Sequence, residues 1–419
     1  MPDDAERNPS AGRPRGRRPA WAAVDLDALG RNTRRLAAIG PRLRAVVKAD
    51  AYGHGAVHVA GRLQREGLDR FAVALVEEGV ELRRAGIEGD ILVMGPCQAE
   101  QRETVARHGL VPTLSSRPQL ESWLAWDGGA RQPVHLKVNT GMNRVGLAPP
   151  ELDDALRAVR AAPHLELAGL MSHFSSSEEP ESSVTAAQVR LFGELVELLT
   201  PGERRDVELH IANSAALLHD DASARPRWPN HVARPGLALC GYDPARRLDL
   251  EPVMSVVAEI TQVQPVAAGE AVGYGRRWTA ARDGWVGIVP VGYADGYAWR
   301  LGGRAEALVD GRRAPVVGAV SMDMMALDLG PEGAEEGTEV VLLGSRGDET
   351  IDAAELADRA GTIVYEMLCG FGLRLPRVYL ERDRPDEIAG RLPADLAAGP
   401  AGYSSGSRPV MRRKASRYR

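Results

Sequence analysis

Residues 45–56 read AVVKADAYGHGA: an apolar run enters Lys48 directly, and small residues follow it. A lysine is seldom buried without a partner. In apolar surroundings its charged form is disfavoured and its pKa falls. Lys48 is therefore a candidate for a Schiff base with a carbonyl substrate or with pyridoxal phosphate. A lysine whose stem lies along apolar surface, with its head in water, stays open as the plainer reading. Other polar residues recur where apolar runs stop. Lys137 lies in PVHLKV with NTGMNR (139–144) after it, His173 closes ELAGLMSH, Asn213 and Ser214 follow VELHIA, and Arg234 and Gly236 lie in HVARPGLAL. Ser214 can open a helix, where a hydroxyl and free backbone N–H groups suit a phosphate; capping explains the same residues without a ligand. Gly236 lets backbone approach closely. His54 and His58 stand four apart, but no glutamate lies between them and no third ligand is apparent, so no metal is expected.

Positioning such residues needs a frame of strands. Short apolar runs at 43–47, 70–75, 90–95, 110–114, 133–138, 166–173, 207–212 and 231–239 alternate with longer, helix-like stretches such as VEEGVELRRAG. Eight strand candidates separated by helix-like gaps fit either a (β/α)8 barrel or an open doubly wound sheet, and their count and even tempo favour the barrel, in which function sits at the C-terminal ends of the strands. Beyond about residue 250 the texture changes to Val-rich runs with Gly and Asp-Gly turn signals, which predicts a mostly β second domain with a short helix at 352–360. The expected organisation is an N-terminal tail at 1–18, a barrel at 19–250, a β domain at 251–385 and a tail at 386–419.

Composition narrows the function classes. The chain has 419 residues, 44% hydrophobic and 26% charged, as an ordinary globular protein has, and its net charge of −5 argues against a nucleic-acid binder. The three cysteines, Cys97, Cys240 and Cys369, show no disulfide framework or CxxC pair, which suits a reducing compartment. The first twenty residues contain no apolar stretch and no run of about 18 apolar residues occurs, so neither a secretory signal nor a membrane span is expected, and a cytoplasmic location is. Residues 403–419 carry six basic and no acidic residues; a solvated tail is the plain reading, an anionic contact the functional one.

The motif AVVKADAYGHG resembles the lysine motif of the alanine racemases. LKVNTGMNRVG (136–146), MSHF (171–174), IANSAA (211–216), ARPGLAL (233–239), VGYG (272–275), VGYADGY (291–297), SMD (321–323) and YEMLCG (365–370) match that family in order, within a stretch running from RPAWAAVDLDAL (18–29) to about Arg377. The resemblance implies a barrel with a C-terminal β domain, a homodimer with shared sites, and racemisation of alanine with pyridoxal phosphate, supplying D-alanine for peptidoglycan. It implies that Lys48 carries the cofactor and acts as one base. Tyr274 of the partner subunit is the implied second base on the opposite face, as two-sided proton transfer requires. It further implies that Tyr52, Ser214, Tyr365 and the backbone at Gly236 and Leu237 hold the phosphate, with Asn213 beside them. Arg234, supported by His173, would face the ring nitrogen, and Arg144 would reach the phenolic oxygen and the substrate carboxylate. Lys137 is implied as a site of carbamylation, and Tyr293, Met322 and Asp323 as the substrate entrance.

Three departures stand out. Asn139 occupies the place of an aspartate, Cys240 that of a tyrosine, and Arg300 lies one residue beyond the usual arginine. The first is expected to alter hydrogen bonding near Lys137, the second only packing. Arg300 is not assigned to the site. The competing readings are a racemase of broader substrate range, a pyridoxal-phosphate-dependent decarboxylase, and a cofactor carrier. The decarboxylase reading lacks its glycine-rich phosphate loop, and a carrier has no use for a second base.

Overall fold

The computed structural model describes residues 16, 18–40, 42–126, 128–179, 183–218, 228, 230–243 and 247–381. β1 (Ala20–Asp25) leads into helix Leu26–Ala37, whose N-cap Asp25 accepts from the Ala28 N–H at 2.8 Å. The next strand is interrupted: β2 (Arg42–Leu43) and β3 (Ala45–Val46) flank Arg44. Then come β4 (Arg70–Val73), β5 (Asp90–Val93), β6 (Leu110–Leu114), β7 (Gln132–Lys137), β8 (Leu165–Met171), β9 (Glu208–His210) and β10 (Val232–Ala233). Strands β3 to β9 pair in parallel in chain order. A bridge from Leu209 to His231 continues the ladder, and β10 pairs in parallel with β2, so the ring closes on the strand that began it. The expected barrel is present. Its strands are buried on both faces, as all five residues of LVPTL are, because helices such as Ala56–Arg65 and Val76–Arg84 pack outside and side chains fill the inside. The last apolar run, 231–239, yields only two strand residues: Pro235 has no N–H to give a ladder, and the chain turns where the Leu239 N–H meets the Gly236 carbonyl at 3.0 Å.

The N-terminal ends of the strands are tied by charge. Arg44, fully buried, donates to Asp90 at 2.8 Å, Glu208 at 2.6 Å and the Phe71 carbonyl at 3.1 Å. Arg70 donates to the second Glu208 oxygen at 2.5 Å. Asp90, Glu208 and Arg70 each open a strand. This network belongs to the face of a barrel that serves stability, and breaking such a buried cluster by removing one partner costs about 3–5 kcal/mol.

The second part is β-rich, as its texture predicts. It contains β11 (Met254–Glu259), β12 (Gln262–Val266), β13 (Ala271–Val272), β14 (Trp278–Thr279), β15 (Gly284–Val289), β16 (Glu306–Val309), β17 (Arg312–Val317), β18 (Met325–Gly330), β19 (Glu339–Arg346), β20 (Glu349–Ile351) and β21 (Arg377–Leu380). The main sheet runs β12-β15-β18-β17-β16-β19-β11-β1-β21, with β20 on β19 and a separate β13–β14 ribbon. β1 pairs antiparallel with β11 and parallel with β21; the first strand of the chain therefore lies inside the C-terminal sheet and ties the two parts together. The expected short helix is Ala353–Ala360, capped by Asp352 at 2.7 Å from the Glu355 N–H. Barrel and sheet fall in one compact unit. Among the described residues no helix is long and apolar enough to cross a membrane. The tail at 386–419, and the tail at 1–18 apart from Gly16 and Arg18, lie outside the described residues.

Candidate active site

Lys48 stands two residues beyond β3, at the C-terminal end of its strand, and the backbone after it is unusual. Ala49, Asp50, Ala51 and Tyr52 all adopt left-handed helical angles, with φ between 50° and 56°. Each such non-glycine residue costs roughly 1–2 kcal/mol, so the turn persists only because its surroundings hold it. The Asp50 carboxylate accepts from the Ala56 N–H at 2.7 Å. The His54 Nδ1 sits 2.9 Å from the Ala51 carbonyl and 3.0 Å from that of Tyr52; two acceptors fix the proton on that nitrogen. Arg377 donates twice to the Gly53 carbonyl, at 3.0 and 2.7 Å. The turn aims Tyr52 inward, where it is buried with its ring 6.0 Å from that of Tyr365.

Opposite Tyr52 is a backbone cradle. The Ser214 hydroxyl accepts from the N–H groups of Gly236 at 3.0 Å and Ala238 at 3.2 Å. A Cβ on Gly236 would lie 2.1 Å from the Tyr52 hydroxyl, so only glycine leaves this space open. Asn213 caps the helix that follows: its Oδ1 accepts from the Ala216 N–H at 3.1 Å and from the Ser177 hydroxyl at 2.9 Å. That helix, Ser214–Leu217, has four residues. Its macrodipole is correspondingly small, so an anion held here would draw on individual donors more than on the helix end.

Arg234 is buried, and both of its terminal nitrogens are engaged. It donates to His210 Nδ1 at 2.9 Å, to the Ser172 carbonyl at 2.8 Å and to His173 Nδ1 at 3.0 Å. A guanidinium only donates, so both imidazoles accept through Nδ1 and carry their proton on Nε2. His210 Nε2 then donates to His135 Nδ1 at 2.8 Å. The two rings meet across β8 because Gly169 lies between them; a Cβ there would be 2.2 Å from His135 Nδ1. Burial first, then Arg234, holds His173 and His210 well below the ordinary histidine pKa. Burial and Arg44 push His135 down to about 4. Arg234 itself falls to about 9 through burial and Arg44, and is still a cation at neutral pH. Atoms of His135, Glu208 and His210 come within 4.8 Å of one another, but His210 serves Arg234, and Glu208 serves Arg44 and Arg70.

Arg234 and His173 line one cavity of about 540 Å³ at the C-terminal ends of the strands, together with the Lys48 turn and the Ser214–Gly236 cradle. Lys48, Lys137, Arg144 and Arg234 face it together, and among its lining residues only Glu178 and Glu179 are acidic. The buried Lys137 amine is lowered to about 8 by burial and then by Arg234, Arg144 and Lys48. Burial, then Arg144, lowers Lys48. Tyr365 is raised to about 12 by burial. A cavity so rich in cations is suited to a ligand bearing phosphate and carboxylate groups.

Of the residues singled out from sequence, Lys48, Tyr52, Lys137, Arg144, His173, Asn213, Ser214, Arg234, Gly236, Leu237 and Tyr365 all line this cavity. Tyr274, Tyr293, Met322 and Asp323 do not. Tyr274 is 76% exposed on the turn between β13 and β14. Tyr293 and Met322 are also exposed, and their loops interlock: Tyr293 N–H meets the Ser321 carbonyl at 3.0 Å, and Ala294 N–H meets that of Met322 at 3.0 Å. Asp323 accepts from Arg374 at 2.6 Å. Asn139 closes its own loop, accepting from the N–H groups of Gly141 at 3.1 Å and Asn143 at 3.0 Å. Its side-chain bonds stay within 139–143. His54 is held by backbone carbonyls, while His58 stacks on Tyr379 at 3.6 Å. His210 and His135 were not among the residues singled out from sequence: both lie inside their apolar runs, VELHIA and PVHLKV, and His210 proves to be the last residue of β9.

Comparison with known proteins bears on the family and the fold. The family model for the alanine racemase N-terminal domain matches residues 24–244, and that for the alanine racemase C-terminal domain matches 253–379. The alanine racemase of Sorangium cellulosum is 42% identical over 387 residues, covering 87% of this chain and 100% of the relative. A crystal structure of alanine racemase from Bacillus anthracis with bound L-Ala-P superposes with a TM-score of 0.81 at 34% identity, covering 88% of this chain and 97% of the other. Alanine racemase from Bartonella henselae with covalently bound pyridoxal phosphate gives 0.77 at 28% identity, over 87% and 100% of the two chains. With its fold, its strand-end lysine and both domains thus accounted for, the chain belongs to the alanine racemase family of isomerases.

Proposed function

We propose that this protein interconverts L- and D-alanine with pyridoxal phosphate carried on Lys48, as a cytoplasmic homodimer that supplies D-alanine for peptidoglycan. The observation that carries the proposal is the cavity in which Lys48 meets three further cations beside a cradle only glycine can line. The residues fit the group. Tyr52, Ser214, Tyr365 and the backbone at Gly236 and Leu237 would hold its phosphate, and Arg234 would face its ring nitrogen. When bound, pyridoxal phosphate supplies an electron sink that acidifies the α C–H of an amino acid.

The chain's own residues supply the rest. Lys48, its pKa lowered by burial, has an amine that gives up its proton more readily than an exposed lysine and can then act as a base. Tyr274 of the partner subunit would serve the opposite face; its exposure, outside its own chain's cavity, is what a residue lent to a second subunit requires. Arg144 would pair with the substrate carboxylate. Arg234 offers a cation where a carboxylate would favour protonation of the ring nitrogen, and so restrains transamination. Lys137, free to lose its proton near pH 8, is open to carbamylation. Tyr293, Met322 and Asp323 would line the entrance.

The test is a chiral assay of purified, cofactor-supplemented protein on L-alanine, L-serine and L-lysine. D-alanine formed far faster than the other products is the expected result. Comparable rates would indicate a broad-range racemase, and bound cofactor without any D-product would refute racemisation.

A further inference from the structure

Glu78 lies in the first turn of helix Val76–Arg84, outside the cavity lining. One of its oxygens accepts from the Ala49 N–H at 2.7 Å. The other accepts from the N–H groups of Ala74 at 2.7 Å and Leu75 at 3.0 Å. One carboxylate thus joins the end of β4 to the peptide group that directly follows Lys48. The far half of the left-handed turn is fastened by Asp50, His54 and Arg377, but on its Lys48 side the side-chain fastener is Glu78. Charge-assisted bonds to backbone N–H groups are among the stronger ones, and the turn they hold is intrinsically unfavourable.

We propose that Glu78 is a positioning residue for Lys48: it clamps the Lys48–Ala49 peptide to the neighbouring strand and so sets where the amine stands in the cavity. This rests on the cofactor reading above. The clamp also places a negative charge near an amine otherwise surrounded by Arg144, Arg234 and Lys137, with the Cys369 thiol on the adjoining helix; Glu78 raises the Lys48 pKa while burial and the arginines lower it. A residue that merely caps its helix would do neither.

The test compares full-length wild type with Glu78→Gln, Glu78→Ala and the control Glu77→Gln. Glu77 sits in the same helical turn but pairs with Gln101. Three quantities are read: the affinity for pyridoxal phosphate from its Lys48-dependent absorbance, the thermal midpoint, and the pH profile of kcat/KM. Loss of a charge-assisted bond predicts about tenfold weaker cofactor binding for Glu78→Gln, with the limb due to Lys48 moved to lower pH and the control unchanged. Cofactor affinity within about twofold of wild type and an unmoved limb in Glu78→Gln would overturn the proposal. That variant decides should Glu78→Ala fail to fold. Wild type that takes up no cofactor would overturn the cofactor reading and this inference with it.

Discussion

Replacing His210 by alanine tests the direction of the buried hydrogen-bond chain. His210 accepts from Arg234 and donates to His135, at 2.9 and 2.8 Å. Alanine removes the partner that both bonds share and so strands one guanidinium N–H and one imidazole nitrogen, both buried. Each stranded group costs about 1–3 kcal/mol, the charged one more, and the vacated ring volume adds to this. Arg234 keeps its bonds to Ser172 and His173, so the site is loosened rather than abolished. The expected loss is about 3–5 kcal/mol, measured by equilibrium urea unfolding followed through tryptophan fluorescence. Asparagine distinguishes a directed chain from simple packing: its carbonyl can accept from Arg234 while its amide donates to His135, so His210→Asn should recover about half the loss. Nitrogen-15 NMR of the wild type should find His210 protonated at Nε2 only. His210→Ala within about 1 kcal/mol of wild type, or a proton on Nδ1, would refute the reasoning.

Gly236→Ala should leave the fold intact, at a cost of about 1–3 kcal/mol for overpacking, because its Cβ collides with the Tyr52 hydroxyl; cofactor affinity by absorbance titration should fall at least tenfold. Tyr274→Phe should retain cofactor and lose racemisation, read by the chiral assay; unchanged turnover would contradict the two-base assignment. Lys48→Ala should abolish covalent cofactor binding and activity without changing the far-ultraviolet circular dichroism. Acid should destabilise the protein early. Burial pushes His54, His135 and His231 down to about 4 and holds His173 and His210 well below the ordinary histidine value. Their folded pKa values lie below the unfolded value of about 6.5, so the unfolded state binds more protons in between. Their contribution is present above pH 6.5 and is lost as pH falls towards 4, at up to about 1.4 kcal/mol per pH unit for each. Raised carboxylates such as Asp50 oppose this in part. Thermal midpoints that stay flat from pH 7 to 5 would refute it.

Much of this molecule is written locally. The alternation of apolar runs and helix-like stretches favoured the barrel, since each run is long enough for one strand and each gap for one crossover. Most of the residues that line the cavity stand at or just after the ends of those runs, because a parallel barrel delivers every strand end to one rim, while Tyr365 reaches it from a helix of the C-terminal part. What the sequence left open depends on contacts between distant segments. Nothing in AVVKADAYGHG announces four left-handed residues, because alanine and tyrosine disfavour that conformation; Glu78, Asp50, His54 and Arg377 impose it, and two of these come from other elements. The Arg234–His210–His135 chain likewise joins β7, β9 and the segment after β10 across Gly169, a register no local pattern encodes. β1 reads as an ordinary first strand, yet it pairs with β11 and β21, more than 200 residues away. The sequence by itself determined which groups could do chemistry and on which rim they would stand, since side-chain type and strand order are local properties. Their protonation states, tautomers and strain were decided only by the tertiary structure, because desolvation and hydrogen-bond direction exist only once remote segments have closed around them.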